Sequence, residues 1–167
     1  MKYFIKLTAL AVVLGLGFTA CQKDYSATPG IELPDPQNPL SGTFSCLVDG
    51  QQFKAEAKSY SYNADTKTLV MQGTKYAESR ATGAYQQIVI TIPNYDGGKR
   101  YNITGAANIT YVAINEQGGT TTFNSLSNEN YYVQTEGTYK GAFNVVVANV
   151  SNNTERVTIS EGKFNFE

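Results

Sequence analysis

The chain has 167 residues, a net charge of −1 and no histidine. Without histidine, Ser-His-Asp and Cys-His nucleophile activation and every histidine-based metal site are excluded, and no basic patch suggests a nucleic-acid partner. We therefore predict no cofactor, no metal and no nucleic acid, and a chain of this length can form one domain with a real core.

Residues 1–20 have the layout of an export signal. Lys2 and Lys6 precede Leu7 to Ala20, a run of fourteen residues without a charged side chain. This run is too short for a transmembrane helix, which needs about 20 residues to cross about 30 Å of hydrocarbon. We expect it to direct export and then to be removed.

Cys21 follows the run directly, in Phe-Thr-Ala-Cys. This stretch resembles a bacterial lipobox, in which the cysteine thiol is acylated and becomes the new N-terminus. The resemblance implies that Cys21 is a lipid attachment site and that the membrane is a partner through this anchor. One acyl chain anchors only marginally, but the two or three chains typical of bacterial lipoproteins anchor permanently. The alternative is a chance cysteine near an ordinary cleavage site.

The residues after Cys21 indicate a destination. Gln22 is not aspartate, the residue that resembles an inner-membrane retention signal, so an outer-membrane location is favoured. Cys21-Gln22-Lys23-Asp24 further resembles the short acidic signal that sends lipoproteins of the Bacteroidota to the cell surface. The resemblance implies a lipid-anchored outer-membrane protein, with the cell surface favoured over the periplasmic leaflet.

Residues 21–41 are predicted to form a tether behind the lipid. They hold four of the five prolines and show no apolar periodicity. Twenty coil residues span about 25 Å, and proline stiffening lengthens that distance. The folded domain, residues 42–167, would then stand clear of the membrane.

Cys46 has no cysteine left to pair with if Cys21 carries lipid. It alternates with Phe44 and Val48 on what should be one buried strand face. We therefore interpret it as a buried small hydrophobe. The alternative is a reactive thiol or an intermolecular link.

From Gly42 onward, short runs rich in Val, Ile, Thr, Tyr and Phe alternate with Gly, Asn and Asp turns. This pattern predicts an all-β fold of about ten antiparallel strands in hairpin order, either a β-sandwich or a flattened up-and-down barrel. The segments GTFSCLVDGQQFKA and VTISEGKFNF resemble the boundaries of small, uncharacterised lipoprotein β-domains of the Bacteroidota. That resemblance implies fold and location but no activity.

Turn dipeptides predict the strand registers. Three of them, Asp49-Gly50, Asp96-Gly97 and Gly118-Gly119, would each close a two-residue hairpin. These hairpins would pair Cys46 with Phe53, Ile90 with Ile103, and Ile114 with Phe123.

The C-terminal hairpin needs a different loop. Matching Val147 to Val157 requires a three-residue connection at 151–153. Beyond Ile159 the apolar positions change parity, and one extra residue at Glu161-Gly162, a β-bulge, would return them to the same face.

Twelve tyrosines and no tryptophan suggest a recognition surface, although tyrosine is also a favoured strand residue. The longest stretch without strand alternation, residues 73–85, contains Tyr76, Arg80 and Tyr85. These three residues form our candidate ligand-binding site, where Arg80 and the tyrosines could hold an acidic sugar or peptide. The alternative is a mobile hairpin tip.

The functional hypothesis is a non-enzymatic lipoprotein that binds an extracellular glycan or protein. The second hypothesis is a structural or assembly subunit of an envelope complex, which should expose a long unpaired strand edge. The third is a histidine-free glycoside hydrolase, which needs two facing carboxylates. The glutamates available for it are Glu116, Glu129, Glu136, Glu155 and Glu161.

Overall fold

The computed structural model describes residues 42–78, 80–137 and 139–166. The predicted signal peptide 1–20 and tether 21–41 therefore lie outside the described residues. The same holds for Cys21 and for the export-signal residues Gln22, Lys23 and Asp24.

Eleven β-strands account for most of the described residues. In chain order they are β1 (Thr43–Val48), β2 (Gln51–Lys54), β3 (Ala57–Asn63), β4 (Thr68–Tyr76), β5 (Tyr85–Ile92), β6 (Arg100–Ile103), β7 (Asn108–Ile114), β8 (Thr120–Ser125), β9 (Asn128–Glu136), β10 (Lys140–Asn149) and β11 (Arg156–Asn165). A 3₁₀ turn, Arg80–Thr82, lies between β4 and β5. Within these residues, no helix has the length and apolar character needed to span a bilayer.

The strands form one antiparallel sheet in the order β2-β1-β11-β10-β8-β7-β5-β4-β3. The two end strands, β2 and β3, are consecutive in the chain and are separated only by Ala55 and Glu56. The Ala55 N–H donates to the Phe44 carbonyl (2.9 Å), and the Glu56 N–H donates to the Thr74 carbonyl (2.8 Å). This crossing joins both ends of the sheet, which curls into a half-barrel. The predicted all-β, antiparallel fold is confirmed.

The sheet branches at the long strand β10. Its C-terminal part, Val147–Asn149, pairs with β8, whereas its N-terminal part, Lys140–Asn144, pairs with β9. The far side of β9 pairs with β6. A short two-strand branch, β9-β6, therefore extends from the main sheet and carries its own outward face.

The core inside the curled sheet is dominated by phenylalanine. The rings of Phe44 and Phe143 lie 5.4 Å apart, those of Phe143 and Phe164 lie 6.4 Å apart, and all three side chains are fully buried. Aromatic pairs at such distances contribute about 0.5–1.5 kcal/mol beyond their buried area.

Three glycines within strands leave room for these rings. A Cβ added at Gly73 would lie 2.5 Å from the Phe44 ring, and one added at Gly162 would lie 2.6 Å from the Phe143 ring. Gly141 meets the ring of Phe164 in the same way. Glycine inside a strand here marks the close approach of a neighbouring side chain.

Two predicted hairpins are confirmed. Across the Asp49-Gly50 turn, Cys46 pairs with Phe53. At the C-terminus, Val147 pairs with Val157. In both hairpins, side chains alternate between the two faces of the sheet, and the observed register places the apolar residues on the inner face, as predicted.

The predicted bulge in β11 is also present. Phe143 pairs with Gly162 while Val145 pairs with Ile159, so one extra residue of β11 lies between the two pairs. The residue with the left-handed backbone is Glu161, at φ 53°, and not its glycine neighbour. Gly162 serves the bulge by leaving space for the Phe143 ring.

The predicted hairpin at Asp96-Gly97 is wrong. Strand β5 pairs with β4 and β7, and β6 pairs with β9 instead. The segment before β6 is held against the end of β9, because buried Tyr95 donates its hydroxyl to the Gly137 carbonyl at 2.7 Å. A tertiary contact thus overrides the local turn signal.

The hairpin between β7 and β8 exists, but its predicted register is wrong. Ile114 pairs with Thr120 rather than with Phe123. The Asn115 side-chain oxygen accepts the Gly119 N–H at 2.8 Å, and the Asn115 N–H donates to the Gly119 carbonyl at 3.0 Å. This asparagine closes a five-residue connection instead of a two-glycine turn.

Cys46 is buried, as predicted, with 2% of its surface exposed. Burial raises the pKa of its thiol to about 12. Burial is also the main cause that raises the pKa of Tyr111 to about 12, with a smaller contribution from Asp49. Both groups therefore stay protonated in the fold at alkaline pH.

These two groups predict that stability falls in alkali. Unfolded, the thiol ionises near pH 9.0 and the phenol near pH 10.0. Their stabilising contributions are thus complete below those values and are lost as the pH rises toward 12. Each group lowers the free energy of unfolding by at most about 1.4 kcal/mol per pH unit. Urea midpoints measured from pH 7 to pH 11 should fall above pH 9, and Cys46→Ala should delay the onset by about one unit. A midpoint independent of pH over this range would contradict the prediction.

Candidate functional site

The predicted recognition loop, residues 73–85, is shorter than expected. Strand β4 continues to Tyr76 and β5 begins at Tyr85, so the connection comprises residues 77–84. The alternation of apolar and polar residues along β4 is interrupted in the sequence at Gly73, which has no side chain. The Phe44 ring from β1 fills the inward-facing space at this position. The 3₁₀ turn that begins at Arg80 lies within this connection.

Tyr76 and Tyr85 are brought together by the β4-β5 ladder. They are direct cross-strand partners, and Tyr85 is in turn opposite Ile114 of β7. Tyr76 is 38% exposed, and the other two are half-buried. We call Tyr76, Tyr85 and Ile114 the tyrosine row. Side chains directly opposite in neighbouring strands lie about 5 Å apart, so the three form one continuous surface.

The tyrosine row lies at one end of an outward face formed by β4, β5, β7 and β8. Strands β5, β7 and β8 contain no charged residue. The single charge of β4, on Lys75, alternates with the outward residues, and its Nζ donates to the Gln52 carbonyl at 2.9 Å. We call this surface the uncharged face. Its other outward positions include Val70, Gln72, Gln87, Val89, Thr110, Val112, Thr122 and Asn124.

The strands of the uncharged face offer aromatic rings, methyl groups, hydroxyls and amides, and a negative charge lies beside the tyrosine row, where Glu56 Oε1 accepts the Tyr76 N–H at 3.3 Å. An anionic ligand would meet the like charge of Glu56 beside the row, which is unfavourable. A neutral ligand with many hydroxyl groups finds both hydrogen-bond partners and apolar area. The chemistry of the surface therefore suits a neutral carbohydrate.

A second site lies on the outward face of the β9-β6 branch and was not predicted from the sequence. The Arg100 guanidinium carbon lies 4.2 Å from the centroid of the Tyr132 ring. Its Nε–H donates to Asn102 Oδ1 at 3.1 Å. Asn102 and Tyr132 are cross-strand partners, and Tyr132 is opposite Asn144 on β10. The sequence signal of this site is limited to the cationic pair Lys99-Arg100, which follows the Asp96-Gly97 dipeptide closely.

A surface cleft of about 380 Å³ adjoins this stacked pair. We call it the Arg100 cleft. Its polar lining consists of Asn94, Lys99, Arg100, Asn102 and Thr104. A smaller depression of about 270 Å³ shares Pro93 and Gly105 with it.

Lys99 is neutralised within the cleft wall. Its Nζ lies 2.7 Å from the Asp96 carboxylate. Hydrogen bonds from Lys99 and then from Tyr101 hold the pKa of Asp96 below its ordinary value. Asp96 therefore stays ionised, and its negative charge compensates the positive charge of Lys99. The uncompensated positive charge of the cleft is that of Arg100.

A histidine-free hydrolase or a metal site needs carboxylates that lie close together. Neither cleft is lined by an aspartate or a glutamate. All five candidate glutamates are exposed: two lie in connections (Glu116 and Glu155), two lie near the ends of β9 (Glu129 and Glu136), and Glu161 lies at the bulge of β11. In the part of the chain that the structure describes, no three Cys, Asp or Glu side chains lie close enough to hold a metal ion.

The chain has no match among family models, curated protein sequences or solved structures. Nothing carried over from a relative therefore assigns a ligand or a reaction to either site. The function is inferred from the geometry of the tyrosine row and the Arg100 cleft.

Proposed function

We propose that this protein is an outer-membrane lipoprotein, exposed at the cell surface, whose β-domain binds a neutral glycan without enzymatic action. The observation that carries the binding role is the tyrosine row on the uncharged face. The lipobox-like Phe-Thr-Ala-Cys and the following Gln22-Lys23-Asp24 support the anchor and the destination. A proline-rich tether of about 25 Å would hold the domain away from the membrane.

The lipid anchor predicts a specific loss in Cys21→Ala. The thiol is the lipid acceptor that the motif offers, so this variant should take up no radiolabelled palmitate and should leave the outer-membrane fraction. Cys46→Ala is the matched control, because Cys46 is buried and should have no part in anchoring. Labelling and membrane association that persist in Cys21→Ala would contradict the lipoprotein proposal.

Glycan binding is supported by the composition of the tyrosine row. Tyrosine gives a flat apolar area with a polar edge at low cost in side-chain entropy. The ladder places the two tyrosines directly opposite each other, so that one glycan chain can contact both. Next to the row, the Gln87 side-chain amide donates to the hydroxyl of buried Thr74 at 3.2 Å, so Gln87 adds an oriented amide group.

The tyrosine row predicts the behaviour of a double variant. Tyr76→Ala with Tyr85→Ala should keep the melting temperature within a few degrees and weaken glycan binding at least about tenfold, since aromatic contacts of this kind contribute about 1 kcal/mol or more each. Neutral hexasaccharides of glucose, mannose and xylose are suitable probes for calorimetry. Arg80→Ala tests whether the third predicted residue contributes.

Tyr62→Ala is the matched control for this double variant, because Tyr62 is 45% exposed and lies on β3, away from the row. Its affinity for the hexasaccharide should equal that of the unmodified protein. Binding that survives in the double variant, or that is lost equally in Tyr62→Ala, would remove the tyrosine row as the binding surface.

The two rival functions have less support. An assembly subunit calls for a long open strand edge, but β6 has four residues and the end strand β3, which pairs with β4, has seven, close to the ordinary length of a strand. A hydrolase calls for facing carboxylates, and the two described clefts are lined by none. Binding without catalysis is the function that the geometry supports best.

A further inference from the structure

We propose that the Arg100 cleft is a second binding site, specific for a carboxylate-bearing sugar such as a hexuronic acid. The site is separate from the tyrosine row: it lies on the β9-β6 branch, beyond β10, whereas the row lies on β4, β5 and β7. The proposal therefore does not depend on neutral-glycan binding at the row.

The first support is the fixed orientation of Arg100. Its guanidinium is stacked on the Tyr132 ring at 4.2 Å, and its Nε–H is bonded to Asn102 Oδ1 at 3.1 Å. These two contacts hold the planar group in place and leave its two terminal amino groups available to a ligand. This is the end of arginine that binds a carboxylate with two parallel hydrogen bonds. A group oriented in advance loses less freedom when it binds.

The second support is the charge of the cleft. Lys99 is paired with Asp96 at 2.7 Å, and among the described residues no carboxylate lies within ion-pair distance of Arg100. One uncompensated cation matches one negative charge. A monoanionic carboxylate fits this balance, whereas a phosphate with close to two charges would keep one of them unmatched.

The third support is the neutral lining. Asn94, Asn102 and Thr104 surround Arg100 in the cleft. Because Asn102 Oδ1 accepts the arginine N–H, its amino group remains as a donor. Amides and a hydroxyl around one arginine suit a ligand with one carboxylate and several hydroxyl groups. A volume of about 380 Å³ is enough for a single sugar ring.

The test is a titration of the purified protein with glucuronate, followed by NMR of arginine Nε–H and backbone amides. We expect saturable shifts at Arg100, Asn102 and Tyr132 with a Kd of about 1 mM, as for a ligand of about a dozen heavy atoms. Glucose and the methyl ester of glucuronate, which lack the charge, should bind at least about tenfold more weakly.

Two arginine variants sharpen the test. Arg100→Lys keeps the charge but loses the planar fork and should also weaken glucuronate at least about tenfold. Arg156→Gln is the matched control, because Arg156 is likewise an exposed arginine at the first position of a strand; its affinity should be unchanged. The proposal is overturned if glucuronate gives no saturable shift at Arg100 up to about 50 mM, if glucose binds equally well, or if Arg156→Gln weakens binding as much as Arg100→Lys.

Discussion

Gly141→Ala is expected to lower the free energy of unfolding by about 3 kcal/mol, at the upper end of the cost of overpacking a core. Gly141 lies on β10, between Thr135 of β9 and Phe164 of β11. An added Cβ would collide with the backbone carbonyl of Gln134 and would lie 2.5 Å from the Phe164 ring. Because the first obstacle is backbone, the β9-β10 ladder itself has to move.

Urea unfolding followed by circular dichroism measures this cost. Gly141→Ala combined with Phe164→Leu provides the control: relieving the ring should recover little, since the Gln134 carbonyl remains. A loss below about 1 kcal/mol in the single variant, or full recovery in the double variant, would show that β9 and β10 do not approach as described.

Gly162→Ala is expected to cost about 2 kcal/mol for a different reason. Here the three atoms nearest to the added Cβ, each at 2.6 Å, all belong to the Phe143 ring. The ring would have to leave its stack with Phe44 and Phe164. Substituting Phe143 by the smaller leucine should therefore relieve the clash.

A double-mutant cycle between Gly162→Ala and Phe143→Leu tests this reason directly. The two changes should couple favourably by about 1 kcal/mol or more, in contrast to the near-absence of rescue at Gly141. Additive effects would mean that Phe143 does not lie over Gly162, and the packing of the β11 bulge would have to be revised.

The sequence predicts those parts of the fold that depend on local rules. Alternation and an Asp-Gly turn determine the β1-β2 register, and the parity change after Ile159 locates the bulge. The pairing of β6 with β9 could not be predicted this way, because it depends on the distant contact between Tyr95 and Gly137. Local signals specify which residues face inward but do not choose the partner strand.

The site was predictable in the same partial sense. Tyr76 and Tyr85 lie in a stretch whose sequence shows no alternation, yet they are neighbours because the β4-β5 ladder continues past Gly73. The Arg100 site was missed, because its parts come from strands separated by about thirty residues that only the β9-β6 pairing brings together. Nothing in the sequence distinguishes Tyr132, on which the Arg100 guanidinium stacks, from a tyrosine that only packs within a strand.

The central claim is that the tyrosine row binds a neutral glycan, and NMR of the protein with ¹³C-labelled tyrosine rings tests it most directly. The chain has twelve tyrosines, and the signals of each labelled ring report on the surroundings of that ring. Titration with the neutral hexasaccharide that binds best should shift the Tyr76 and Tyr85 signals and leave those of Tyr62, Tyr132 and Tyr139 unchanged. Shifts confined to the other tyrosines, or no ring shift with any hexasaccharide of the panel, would contradict the account.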